Sequence, residues 1–136
     1  MTGEPMEVTD VRGVAAPAEV VYNTLTDLHR AGRWLPPGVS AEPLSADRLL
    51  VRVGATVREA QLDRQPGDLA VTWWLVDLPA WSGAARVREE HGGASTVEVR
   101  VLAPDVDAAH AERARSLLAE SLRQFERDVA DNFTTG

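Results

Sequence analysis

The sequence contains no cysteine, which excludes disulfide bonds, thiolate catalysis and cysteine-ligated zinc and favours a reducing cytoplasm. No apolar run reaches the roughly 18 residues of a membrane-spanning helix, and the N-terminal segment lacks the basic start and apolar core of a signal peptide. Basic residues are outnumbered: 14 Lys and Arg stand against 21 Asp and Glu, a formal net charge of −7. A nucleic-acid binder usually has a basic face. We therefore expect a cytoplasmic protein that neither spans a membrane nor binds nucleic acid.

Only three histidines are present, His29, His91 and His110, and their spacing matches no metal-binding motif. His29 would act as a general base only if its segment lined a cavity, and an exposed position is the favoured interpretation. The glycines form no phosphate-binding loop, and no serine lies in a nucleophile elbow. We therefore expect no metal site, no cofactor and no hydrolase triad.

What the chain does contain is an ordered series of strand and helix patterns within a length typical of a single domain, residues 1–136. Pro17 opens a helix after the first strand, since its missing N–H costs nothing at a helix start. A second short helix is predicted over Leu28–Trp34. Alternation predicts seven strands, over 6–14, 39–44, 48–53, 56–64, 69–75, 81–90 and 97–101. The pattern indicates an α+β fold.

The last predicted element is a long amphipathic helix from about Asp107 to Asn132. Its apolar residues recur at steps of three and four and form one continuous stripe. Asp105 or Asp107 can cap its N-terminus and favour the positive end of the helix dipole. The stripe comprises Ala111, Ala114, Leu118, Leu122, Phe125, Val129 and Phe133.

Several of these segments resemble a known superfamily. The motifs are Pro17, the V-Y-x-x-L-T-D run of Val21–Asp27, the R-W-L-P run of Arg33–Pro36, and Gly83 with the later G-G-A-S-T-V-E-V. They are similar to the helix-grip superfamily of START-type and birch-pollen-allergen-like domains (SRPBCC). Within it, the polyketide cyclase/dehydratase and lipid-transport branch is the nearest.

The resemblance implies a seven-stranded curved antiparallel sheet around the C-terminal helix, with two short helices after the first strand and an apolar cavity inside. Members bind small hydrophobic molecules, and some cyclise or dehydrate poly-β-ketone chains. We expect a monomer or homodimer. With the strand alternation, the predicted ligand-binding residues are Trp34, Val51, Val53, Leu62, Val71, Trp73, Leu75, Trp81, Val99, Ser121, Leu122 and Phe125.

Four tryptophans supply most of the aromatic area. Alternation places Trp73 and Trp81 on the inward face and Trp74 on the outward face. Flat aromatic walls suit planar ligands. The alternative is that these side chains fill the core and occupy the volume that a ligand would need. For Trp34 we favour a structural role near the cavity mouth.

Arg58 is the candidate catalytic residue. It shares a strand face with Ala60 and Leu62, which predicts an inward side chain, with Arg64 on the same face near the strand end. An inward guanidinium must be paired or bind an acceptor, and it could polarise a ketone or hold an enolate. The alternative is a slip of one residue in register, which would send both arginines to solvent.

Three functions remain open from the sequence. The favoured one is binding or transfer of a small hydrophobic ligand, because no acid–base pair is evident. The second is a polyketide cyclase, aromatase or dehydratase in which Arg58 is the electrophilic anchor. The third and weaker one is a protein-interaction module that uses a sheet edge or Trp74.

Overall fold

The computed structural model describes residues 6–104 and 107–135, with side chains up to Asp131. Short turns of 3₁₀ type at Pro66–Asp68 and His91–Gly93 join neighbouring strands. The elements are β1 (Met6–Val14), α1 (Ala18–Thr26), a 3₁₀ helix (Leu28–Arg33), β2 (Val39–Ser45), β3 (Arg48–Val53), β4 (Thr56–Gln65), β5 (Ala70–Leu75), β6 (Ser82–Glu89), β7 (Ser95–Ala103) and α2 (Ala108–Thr135). The predicted α+β fold, with its element order and two short helices, is confirmed.

The seven strands form one antiparallel sheet in the order β1-β7-β6-β5-β4-β3-β2. Its two edges are therefore β1 and β2. Pro43 lies in β2, where the register also shifts between Pro43 and Ser45. Proline lacks the N–H that an inner strand would donate, so its place on an edge strand follows from its chemistry.

Alternation assigns each strand residue to one of two faces, because paired residues on neighbouring strands point to the same side. Leu62 lies opposite Trp73, and Trp73 lies opposite Gly83. Together with the buried valines of β7 they form the inner face, as predicted. Leu69, which alternation placed at the start of β5, instead precedes the strand in a left-handed conformation with φ 51°.

The stripe of α2 packs into the core. Phe125 is 1% exposed, and Leu122 and Val129 are also buried. They join one cluster with Val21 of α1 and Val97 of β7, while α2 also packs on β1 and the 3₁₀ helix. The predicted gripping of this helix is thus confirmed for the described part of the stripe; Phe133 lies outside the described side chains.

Asp107 caps the start of α2. Its carboxylate accepts a hydrogen bond from the backbone N–H of His110 at 2.8 Å and lies 2.7 Å from Nδ1 of the same histidine. These two hydrogen bonds lower the pKa of Asp107 below its usual value, the backbone bond having the larger effect. The alternative cap, Asp105, lies outside the described residues.

Replacing Phe125 by alanine should lower the free energy of unfolding by about 3–5 kcal/mol, because a fully buried ring would leave a cavity between α2 and the sheet. Thermal or denaturant unfolding measures the loss. Arg127→Ala, on the exposed side of the helix, is the control and should change stability by less than about 0.5 kcal/mol. An unchanged melting curve for Phe125→Ala would contradict the assignment of the stripe to the core.

Candidate functional site

The inner face of the sheet is closed at one end and open at the other. Near α1 its side chains are buried, as at Val71 and Leu62. Towards the β3–β4 turn they become accessible: Val53 is 53% exposed, Trp81 40%, and the Arg58 side chain 41%. We call the exposed region around Val53, Arg58 and Trp81 the open end. An apolar surface that runs from solvent into the core is a suitable wall for a hydrophobic ligand.

Trp73 covers the middle of the inner face. Its indole lies directly over Gly83 on the neighbouring strand, so a methyl group at that position would overlap the ring. The ring is partly buried and packs against the core. Glycine is therefore required here by the close approach of the side chain, and Trp73 fills volume that lies next to the open end.

Trp34 follows the 3₁₀ helix and reaches α2. Its ring meets that of Phe125 edge to face, with centroids 5.5 Å apart and an interplanar angle of 82°, a favourable aromatic geometry. The hydroxyl of Ser121 donates a hydrogen bond to the backbone carbonyl of Trp34 at 2.5 Å. Ser121 therefore holds the segment that carries the ring, a contact that its place beside the helix stripe did not reveal.

An ion pair fixes the 3₁₀ helix to α2. Arg30 donates from Nε and Nη2 to the two carboxylate oxygens of Asp128, at 3.1 and 2.7 Å. Asp128 is only 5% exposed, and Arg33 lies 3.6 Å from the same carboxylate. The hydrogen bond to Asp128 raises the pKa of Arg30 above its usual value. Such bidentate pairs add directional specificity to their energy.

Sequence reasoning missed this pair, although the sequence carries a signal for it. Asp128 lies three residues after Phe125, so it falls on the buried side of α2. A carboxylate at such a position requires a cation or several hydrogen-bond donors. The two arginines of the 3₁₀ helix were the available candidates.

Arg58 lies on the inner face, as alternation predicted, opposite Val51 on β3. Its guanidinium is 3.8 Å from the carboxylate of Asp77 in the β5–β6 loop. The pair is loose and solvent-accessible, so Arg58 is not the buried charge that its neighbours Ala60 and Leu62 suggested. Arg64, on the same face, is partly buried and donates a hydrogen bond to the carbonyl of Thr26 at 3.1 Å.

The outer face of the sheet carries two surface hollows. One of about 260 Å³ is bordered by Arg86 and Arg100, and the other, of about 540 Å³, by Trp74 and Asp63. Trp74 thus faces outward, as predicted. These hollows are open to solvent and have charged side chains at their borders, so they are less suited to a hydrophobic ligand than the inner face.

The predicted ligand-binding residues divide by depth. Trp81, expected at the start of a strand, precedes β6, but its carbonyl still accepts from the Leu75 N–H at 3.0 Å. It therefore remains opposite Leu75 at the open end. The buried members of the set are Leu62, Val71, Val99, Ser121, Leu122 and Phe125; the partly buried ones are Trp34, Val51, Trp73 and Leu75; the exposed ones are Val53 and Trp81.

The histidines lie away from this surface. His29 is exposed in the 3₁₀ helix, His91 is in the β6–β7 turn, and His110 is on the first turn of α2. Among the described side chains, no group of three His, Cys, Asp or Glu is placed to hold a metal ion. Within the same part of the chain, no helix has the length and apolar character needed to cross a membrane.

A family profile described as polyketide cyclase/dehydrase and lipid transport matches residues 5–130. The chain belongs to this family. The assignment that the sequence motifs suggested is confirmed. No curated protein sequence matches the chain.

Solved structures agree with this fold. A START superfamily protein from Mycobacterium smegmatis has a TM-score of 0.76 and 14% identity, covering 93% of this chain and 98% of its own. A protein from Thermus thermophilus has a TM-score of 0.75 and 17% identity, covering 93% and 98%. The Zhui aromatase/cyclase of a Streptomyces species has a TM-score of 0.65 and 15% identity, covering 93% and 94%. Identities this low show a shared fold.

Replacing Arg30 by methionine should lower the free energy of unfolding by about 3 kcal/mol, because the buried Asp128 carboxylate would lose its main partner. Arg33→Met is the matched control. Its side chain is 64% exposed and more distant from the same carboxylate, so the expected loss is below about 1 kcal/mol. Denaturant unfolding compares the two variants. Equal losses would show that the bidentate pair does not position the 3₁₀ helix.

Proposed function

We propose that the protein binds a small, predominantly hydrophobic molecule between the inner face of the sheet and α2, with entry at the open end. The ligand would contact the exposed apolar side chains first and the tryptophan-rich interior beyond them.

The observation that carries this proposal is the exposure of large apolar side chains on the inner face. Val53 and Trp81 are accessible to solvent. Trp81 lies opposite Leu75 on β5, two residues from Trp73, which packs against the buried cluster. An exposed apolar surface that leads into a core is costly unless something covers it. The family is described by cyclase and lipid-transport activity. A small hydrophobic ligand is therefore the molecule that we expect to cover this exposed apolar surface.

Binding without turnover fits the polar groups best. A cyclase requires a base and an acid within reach of the reacting carbons, and the histidines lie elsewhere. The one observation that favours an enzyme is Arg58. Its loose pairing with Asp77 leaves guanidinium donors free to polarise a ketone or hold an enolate, so a cyclase-type activity is the second candidate.

Replacing Trp81 by alanine should weaken binding of a neutral fluorescent probe, N-phenylnaphthylamine, by about tenfold, the equivalent of roughly 1.4 kcal/mol of lost aromatic contact. Fluorescence titration measures the affinity. Trp74→Ala removes a partly buried tryptophan from the outer face and should leave affinity unchanged. If Trp74→Ala weakened binding and Trp81→Ala did not, the ligand would lie on the outer face instead.

Replacing Arg58 by methionine distinguishes the two candidate functions. Methionine keeps the apolar stem of the side chain and removes its charge, so folding should be retained. Under the cyclase proposal, affinity for an aromatic β-diketone falls by about tenfold or more, because a charge-assisted hydrogen bond is lost. Isothermal titration of the wild type and the variant provides the measurement. Equal affinities would remove Arg58 from any electrophilic role and leave simple binding.

A further inference from the structure

One buried donor in the interior has no partner. Across residues 6–104 and 107–131, the only buried side-chain nitrogen or oxygen without a hydrogen-bond partner is Nε1 of Trp34. An indole nitrogen donates one hydrogen bond and accepts none. Native proteins pair almost all buried polar groups, so an exception requires an explanation.

The position of Trp34 is determined by its neighbours. Its backbone N–H donates to the carbonyl of Ala31 at 3.2 Å, and its carbonyl accepts from Ser121. The ring is fixed against Phe125. The Arg30–Asp128 pair holds the preceding helix on α2. The indole therefore has little freedom to turn and find an acceptor within the protein.

Other buried hydroxyls of this interior are satisfied by the protein. Tyr22 donates to the carbonyl of Ala70 at 2.9 Å, and Ser95 donates to the carbonyl of Ala16 at 2.6 Å. Each acceptor is a backbone oxygen on a neighbouring segment. The fold thus provides internal partners for these donors and leaves the Trp34 N–H without one.

Trp34 also packs against the buried cluster that joins the sheet to α2. It is partly buried and packs on the core, together with Trp73, Leu49 and Leu118. Leu49 and Trp73 belong to the inner face, and Leu118 belongs to α2. The cluster that Trp34 packs against contains Leu62 and Val71 of the inner face and Leu122 and Phe125 of α2, so a molecule bound between the sheet and α2 would come near the indole.

We propose that the Trp34 Nε1–H donates a hydrogen bond to an oxygen of the bound ligand. This inference rests on the proposed function, because it requires a ligand between the sheet and α2. It narrows the class to an apolar molecule that carries a carbonyl or ether oxygen. A pure hydrocarbon leaves the donor unpaired, and an ionised carboxylate carries a heavy desolvation cost at a buried site.

Two probes of nearly the same shape test this proposal: acetonaphthone and isopropenylnaphthalene, substituted at the same ring position. They differ at one group: acetonaphthone has a carbonyl oxygen where isopropenylnaphthalene has a methylene group. Both affinities are measured by tryptophan-fluorescence titration in the wild type and in variants. The measured quantity is the ratio of ketone affinity to alkene affinity in each protein. The two probes differ in hydration by the same amount in every experiment, so this difference cancels when the ratios of two proteins are compared.

Trp34→Phe should lower that ratio by about tenfold, the effect of one lost hydrogen bond in a buried site. A second variant carries benzothienylalanine at position 34, which keeps the ring shape and replaces N–H by sulfur. It should show the same loss with the alkene affinity unchanged. Trp74→Phe, on the outer face, is the control and should retain the wild-type ratio.

The outcomes separate the two proposals. If neither probe binds the wild type, the proposed function is wrong and this inference is wrong with it. If both probes bind and the ratio is the same in wild type and both position-34 variants, ligand binding stands and the hydrogen bond is wrong. A downfield shift of the Trp34 indole proton on adding the ketone, but not the alkene, would support it independently; that signal is assigned by its loss in Trp34→Phe.

Discussion

The ion pair between Arg30 and Asp128 is the contact on which the arrangement of the site depends. It joins segments 98 positions apart in the chain. The 3₁₀ helix buries only Leu28 and Ala31, and apolar burial of this kind is not directional. The two hydrogen bonds of the bidentate ion pair are directional, so they fix the orientation of the 3₁₀ helix on α2. Trp34 follows this helix immediately, so the orientation of its indole over α2 depends on a contact made outside the inner face of the sheet.

The inner face combines two requirements that conflict. A stable core needs close packing, whereas a ligand site needs removable or accessible volume. The structure separates them along the strands: Leu62, Val71 and Phe125 belong to the closed end, while Val53 and Trp81 remain accessible. On the inner face, the buried side chains therefore lie near α1, and the large apolar side chains that remain exposed lie at the open end.

Local pattern predicted much of the fold and less of the site. Period-two alternation placed Trp73 and Arg58 on the inner face and Trp74 on the outer face, and the helical stripe identified Phe125. These predictions succeed because side-chain direction is a local property. The sequence did not predict the partners of Arg58 and Ser121, because Asp77 lies in a loop and the Trp34 carbonyl is 87 positions from Ser121. Such pairings depend on the tertiary structure and cannot be predicted from the spacing of residues within one segment.

The glycine beneath Trp73 has a consequence for how this interior can change over evolution. The Trp73 indole lies directly over a residue without a side chain. The size of the residue at position 83 therefore determines how much space the indole has above β6. Any larger residue there would displace the indole from its place, and a different distribution of volume would result. The residue at position 83 therefore determines how closely the Trp73 indole packs on the sheet.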